Sequence, residues 1–279
     1  MTDSSAHIIQ NKAWYFLSIY YSRDQWAELI SQIMQFYSMR QKQFCNCLVS
    51  LSEEKGEHIQ VTFISLDCKE DYQNEIAGYF QSYINTHPSS TTKPFPYGQA
   101  IWCNYENNTL VWDKFRLWDH TEQYIRFHQK TFQLALKLLE NDFSDDSIFS
   151  LAIYLFTKGL LCIPDDEKGN TLSRSLKEVS TDIENYNFGN VVGEIFDKIN
   201  VNEINDVIES YIQEKGSDYS QELTDWMDEV KILLTPFNYT YFGNLICHII
   251  GLTGMQYIIT TGLRQLVILE LMNVWYNSR

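Results

Sequence analysis

The chain has 279 residues, 44% of them hydrophobic, and a formal net charge of −15. That length and apolar content suffice for one large domain or two small ones, each with a full core. The acidic excess argues against a phosphate-tracking surface, and so against a nucleic-acid binder, while it suits a neutral or basic peptide.

Six cysteines, Cys45, Cys47, Cys68, Cys103, Cys162 and Cys247, form no CxxC and no zinc spacing. They read as free thiols in a reducing compartment. The first ten residues lack the apolar core of a signal peptide. The charge-poor stretch from Leu245 to Leu263 is interrupted by His248, Gln256, three threonines and three glycines. It reads as a buried helix pair rather than a membrane span, which needs ~20 apolar residues. The expectation is a cytoplasmic protein with no nucleic-acid or membrane partner.

Taken in chain order, residues 1–12 read as a polar lead-in, without regular structure. Trp14 to Tyr21 is an aromatic, strand-prone run. Arg23 to Met39 has helical spacing, with Trp26, Leu29, Ile30, Ile33, Met34 and Tyr37 on one stripe. Phe44 to Leu51 is a second strand, and Glu53 to Gly56 a polar turn.

The next stretch, Glu57 to Leu66, alternates: Ile59, Val61 and Phe63 on one side, His58, Gln60 and Thr62 on the other. Period two with β-branched and aromatic residues marks a strand with two unlike faces. A helix follows over Asp67 to Asn85, with Ile76, Tyr79, Phe80, Tyr83 and Ile84 inward. Thr86 to Tyr97 holds three of the five prolines and reads as a loop; Gln99 to Tyr105 is a fourth strand. The order β-α-β-β-α-β is the ferredoxin-like arrangement, with both helices on one face of an antiparallel sheet.

Asn107-Asn108 is a turn before the β-prone Thr109 to Trp112. Helices are expected over Asp119 to Asn141 and Asp142 to Leu161, the second capped by Ser144. Ile163 to Gly169 is a break, and everything after Thr171 reads helical. The fold class is α+β: a ferredoxin-like sheet unit over residues 1–115 and a helical part over residues 116–279, packed as one integrated domain.

His58, on the polar strand face, and His248, within LICHII, are the histidines placed for acid–base work. From the residues alone His58 is read first as a hydrogen-bonded structural histidine, and His248 as a buried core histidine or one at a helix-interface site. His120 and His128, eight apart with no third ligand, read as surface histidines. No HExxH, GxSxG, P-loop or GxGxxG occurs.

Several of these landmarks together resemble the C-terminal domain of lantibiotic dehydratases, also found alone as thiopeptide-type bacteriocin biosynthesis proteins. They are the opening Trp14-Tyr15-Phe16-Leu17-Ser18-Ile19-Tyr20 strand, the central His58-Ile59-Gln60-Val61-Thr62-Phe63, the segment Tyr105-Glu106, and His248-Ile249 near the C-terminus. The resemblance implies a modifier of ribosomally made peptides. One branch of the family eliminates glutamate from glutamylated Ser and Thr; another joins two dehydroalanines in a formal [4+2] cycloaddition. It implies His248 and His58 as catalytic groups, Gln60, Thr62, Tyr105 and Arg264 as substrate-binding groups, and no metal or organic cofactor. The partners implied are a precursor peptide, leader and core, and a larger dehydratase subunit.

Three departures stand out. The family's HLRLR arginines are here Gln60 and Thr62, its preceding FIRY arginine has no counterpart in Phe44 to Leu51, and the Asn-Arg of its C-terminal helix is Leu252-Thr253. Arg116, Arg126 and Arg264 are the cations left to replace them. Losing cations removes electrostatic help for a departing carboxylate, so a non-catalytic module that binds a leader peptide or dehydratase subunit stands as the alternative.

Overall fold

The computed structural model describes residues 6–67, 69–90, 105–112, 120–185, 201–214, 219–233, 239–252 and 254–277. It is an α+β chain, and it divides into two compact units, residues 1–132 and 133–279.

The first unit is built on a five-stranded antiparallel sheet: β1 (Ala6–Ile9), β2 (Lys12–Tyr20), β3 (Asn46–Ser52), β4 (His58–Ser65) and β5 (Thr109–Trp112). β4 lies between β2 and β3, with Ser18 opposite Gln60 and Gln60 opposite Ser50. Along the far side of β2, β1 pairs with its first half and β5 with its second. The expected fourth strand over Gln99 to Tyr105 lies outside the described residues apart from Tyr105.

The lead-in differs from expectation. Residues 6–9 are β1, hairpinned onto β2 with Ala6 opposite Tyr15. The hairpin is closed by Gln10 and Asn11, both at positive φ (52° and 62°). Asparagine accepts that conformation readily, glutamine seldom, so Gln-Asn is a weak turn signal.

One sheet face carries Leu17, Ile19, Ile59, Val61, Phe63, Val49 and Leu51, all buried. Two helices cover it, α1 (Trp26–Met39) and α2 (Glu70–Thr86). An aromatic cluster joins the layers: the rings of Phe36 and Phe63 are 5.3 Å apart and those of Phe36 and Phe80 5.4 Å. The expected α1 stripe is off by one member. Met34 is 37% exposed, whereas Phe36 is 1% exposed, because the helix turns its bulkier aromatic toward Phe63 and Phe80.

On the second face lies α3 (Glu122–Leu139). His128 Nε2 meets Ser50 Oγ at 2.9 Å, and Gln129 Nε2 donates to Asn46 Oδ1 at 3.2 Å. Lys12 forms an ion pair with Glu122 at the start of the helix.

The second unit is helical: α4 (Asp145–Leu161), α5 (Lys168–Asn185), α6 (Val201–Gln213), α7 (Gln221–Leu233), α8 (Tyr239–Ile250) and α9 (Gly254–Asn277). Ser144 caps α4 as expected, its hydroxyl accepting from Ser147 N at 3.3 Å. Ten residues of α4, from Ile148 to Leu160, are buried, so it runs through the core with no polar face of its own. Gly159 lets α4 meet α8: a Cβ there would stand 2.3 Å from the Phe242 ring. The α4 core also admits Lys158, whose Nζ reaches Glu214 Oε2 at 2.7 Å and Tyr211 O at 2.7 Å. Among the described residues, no helix is long and apolar enough to cross a membrane.

Candidate functional site

Strand alternation puts Ser18, Tyr20, His58, Gln60, Thr62, Ser50 and Ser52 on the second sheet face. The register makes two polar rows across three strands: Ser18–Gln60–Ser50, and Tyr20–His58–Ser52. Three predicted site residues of the first unit, His58, Gln60 and Thr62, lie on this face.

His58 is buried and fixed. Its Nδ1 lies 2.8 Å from the Gly56 carbonyl, so Nδ1 carries the proton and donates. Its ring stacks on Tyr20 with centroids 4.5 Å apart. Tyr20 in turn packs 4.8 Å from the ring of Tyr105. Tyr105 is 39% exposed and held by its amide to the Lys55 carbonyl at 3.0 Å. The three rings thus run from the sheet interior to solvent. Gly56 permits this: it sits at φ +119° with Tyr20 and Tyr105 against it.

His128 corrects the sequence reading. It was expected at the surface; it is 1% exposed and meets Ser50 across the sheet face. Its edge contact with Tyr124, centroids 5.8 Å apart, comes from the same helix face. The signal was present, since residue 128 follows Tyr124 by one helical turn and adjoins Phe127 on the inward stripe. His120 is half-buried, edge-on to Trp14 at 5.2 Å, so neither histidine is the free surface group expected. Ser18, Ser50, Ser52 and Tyr20 were missed as well. Their signal is the same alternation that exposed His58, applied to the neighbouring strands.

The second unit holds the other two predicted site residues, each in its own surroundings. His248, in the last turn of α8, is only partly exposed, and burial pushes its pKa down to about 4. The imidazole is therefore neutral at pH 7. Arg264 on α9 is wholly buried. Its Nη1 donates to Thr240 O at 3.4 Å and Asn244 Oδ1 at 3.3 Å, and its Nη2 to Thr261 Oγ1 at 3.4 Å. Arg126 is exposed on α3, and Arg116 lies outside the described residues.

The charge character of the polar sheet face follows. It presents hydroxyls, an amide and two imidazoles, and at the start of β2 it also carries Lys12, which is held in an ion pair by Glu122 of α3. Such a face can donate, accept and relay protons, and Lys12 is already paired with Glu122 rather than free to meet a leaving carboxylate. Among the described residues, no group of three His, Cys, Asp or Glu side chains is placed to hold a metal ion.

No family model matches the sequence, and no curated protein does. Among solved structures, the chain is similar to one described as "Pyridine synthase, TbtD, from thiomuracin biosynthesis". The match has a TM-score of 0.58 at 12% sequence identity and covers 95% of this chain and 99% of that one. At that identity the likeness establishes a shared fold along nearly the whole length of both chains.

Proposed function

We propose that this protein modifies a ribosomally made precursor peptide in thiopeptide-type biosynthesis, and that its reaction is ring formation between dehydroamino acids. The observation that carries the reading is the shared fold with a pyridine synthase over 95% of the chain. It agrees with the resemblance drawn from Trp14, His58, Tyr105 and His248.

The choice of reaction rests on charge. Glutamate elimination asks for a base and for cationic stabilisation of the departing carboxylate. The polar sheet face carries Gln60 and Thr62 where that chemistry asks for arginines. A formal [4+2] closure expels no carboxylate in its bond-forming step. It asks that two alkenes be held together and that protons move between amide nitrogen and oxygen. Neutral groups suffice: Tyr105 at the exposed end of the ring stack, Tyr20 and His58 behind it, and Gln60 as amide donor and acceptor. No cofactor takes part. The partner is the peptide, leader and core, in a cytoplasmic setting.

The test is to incubate the protein with a dehydrated precursor peptide and count the dehydroalanines that still add a thiol, by mass spectrometry. Ring formation consumes two of them. Unchanged thiol addition, in a protein shown to be folded, would defeat the cyclase reading. In parallel, a glutamylated peptide is expected to keep its adducts; loss of glutamate would restore the elimination reading.

A second reading, a binding module for leader peptide or dehydratase subunit, is favoured by the same neutral face. It predicts binding of the precursor without change in its mass or thiol reactivity.

A further inference from the structure

Arg264 presents an unsolved charge. It is 0% exposed, and all three of its hydrogen bonds, at 3.3 to 3.4 Å, go to neutral oxygens. Its Nε has no partner among the described residues. Two of the nearby acidic groups supply no anion. Burial raises the Tyr239 phenol far above its usual range and the Cys247 thiol to about 11, so both stay protonated. A guanidinium cannot shed its charge, and among the described residues no carboxylate forms an ion pair with it; Glu178 is linked to it through Thr240, whose carbonyl accepts from Nη1 and whose hydroxyl donates to Glu178.

The fold makes room for it on purpose. Gly243 lies beneath the guanidinium, and a Cβ there would come within 2.2 Å of Nη1. The cation is lodged between α8 and α9 just behind Thr240 and Asn244.

Those two residues form part of a surface cavity of about 510 Å³, completed by Lys177, Glu178, Thr181, Asp182 and Tyr241. Asn244 links the cation to that cavity. An arginine N–H can only donate, so Asn244 Oδ1 must face inward; it accepts from Nη1 at 3.3 Å and from the Tyr257 hydroxyl at 2.8 Å. Its NH2 group is left as a donor, on a half-exposed residue of the cavity wall, polarised by the positive charge behind.

We infer that this cavity binds a carboxylate, with Asn244 Nδ2 and Lys177 as its donors and Arg264 as the buried charge that Asn244 transmits. Thr240 cannot serve as a further donor while its hydroxyl donates to Glu178 Oε2 at 3.3 Å. Glu178 and Asp182 stand on the same cavity. They oppose a dianion such as phosphate, and they suit a ligand with an N–H donor beside its carboxylate, the ammonium of a free amino acid or the amide of a chain terminus. The ligand class is therefore an α-amino acid or the carboxyl-terminal residue of a peptide. The inference does not depend on the chemistry proposed for the sheet face.

Calorimetry on the whole chain, with L-glutamate and with a short peptide as free acid and as carboxyl-terminal amide, tests it. Binding of at least one carboxylate probe with Kd about 1 mM or tighter is expected. Glutamate alone would assign a free amino acid; the free-acid peptide alone would assign a chain terminus. Asn244→Asp keeps both inward hydrogen bonds, supplies the missing anion and removes the donor. It should raise the melting temperature and weaken carboxylate binding at least tenfold. Absence of binding by every carboxylate probe, or equal binding by Asn244→Asp, would overturn the assignment.

Discussion

At the scale of single residues, His248 gives a signed pH dependence. Burial holds its folded pKa near 4, below the ordinary value of 6.5. Between those values the unfolded chain binds the proton more readily, so this residue's contribution to stability rises with pH. It is fully present above about pH 6.5 and is lost as pH falls toward about 4. Denaturant melts of wild type and His248→Gln at a series of pH values check this. Wild type should lose stability more steeply than the variant across that window; equal slopes would contradict the buried, neutral imidazole.

Two of the close-approach glycines give a second prediction at this scale. A Cβ at Gly243 would sit 2.2 Å from Arg264 Nη1, and one at Gly159 2.3 Å from the Phe242 ring. Over-packing of this kind costs ~1–3 kcal/mol. Gly243→Ala and Gly159→Ala should each lower stability by roughly that amount in urea melts, although alanine is the better helix former.

Among the secondary elements, β4 is the strand on which the second face depends, and α3 is the helix that closes it. The Ser50–His128 bond at 2.9 Å joins β3 to α3 through two buried groups. Removing either partner strands the other, at a cost of ~1–3 kcal/mol each. Ser50→Ala with His128→Leu should therefore cost less than the two single changes added together. A double-mutant cycle measures this, and strict additivity would show that the two side chains do not act as a pair.

The same elements show what the sequence could convey. β4 was legible because its alternation is clean and its neighbours bury the apolar half. The caps and core of α4 were legible because Ser144 and the long apolar run are local signals. β1 was not, because four residues and a Gln-Asn turn carry little local information and the strand exists only by pairing with β2. His128 was misread because its type suggested surface, while its helical position, one turn after Tyr124, placed it inward. Lys158 and Arg264 were unreadable as buried charges. Their burial is set by partners distant in the chain, Glu214 for one and the α8 helix for the other.

For the molecule as a whole, the proposal of peptide ring formation rests on the fold shared with a pyridine synthase and on Gln60 and Thr62 of the second sheet face. Tyr105 stands at the exposed end of the Tyr20–His58 stack, so Tyr105→Ala should slow the conversion of a dehydrated peptide by ten-fold or more while leaving the fold intact, as circular dichroism would show. The measurement that tests the central claim most directly is the thiol-addition count on a dehydrated precursor peptide, before and after incubation with the wild-type protein. The account predicts that two dehydroalanines per peptide cease to react. A peptide that binds the folded protein and emerges with every dehydroalanine still reactive would contradict it.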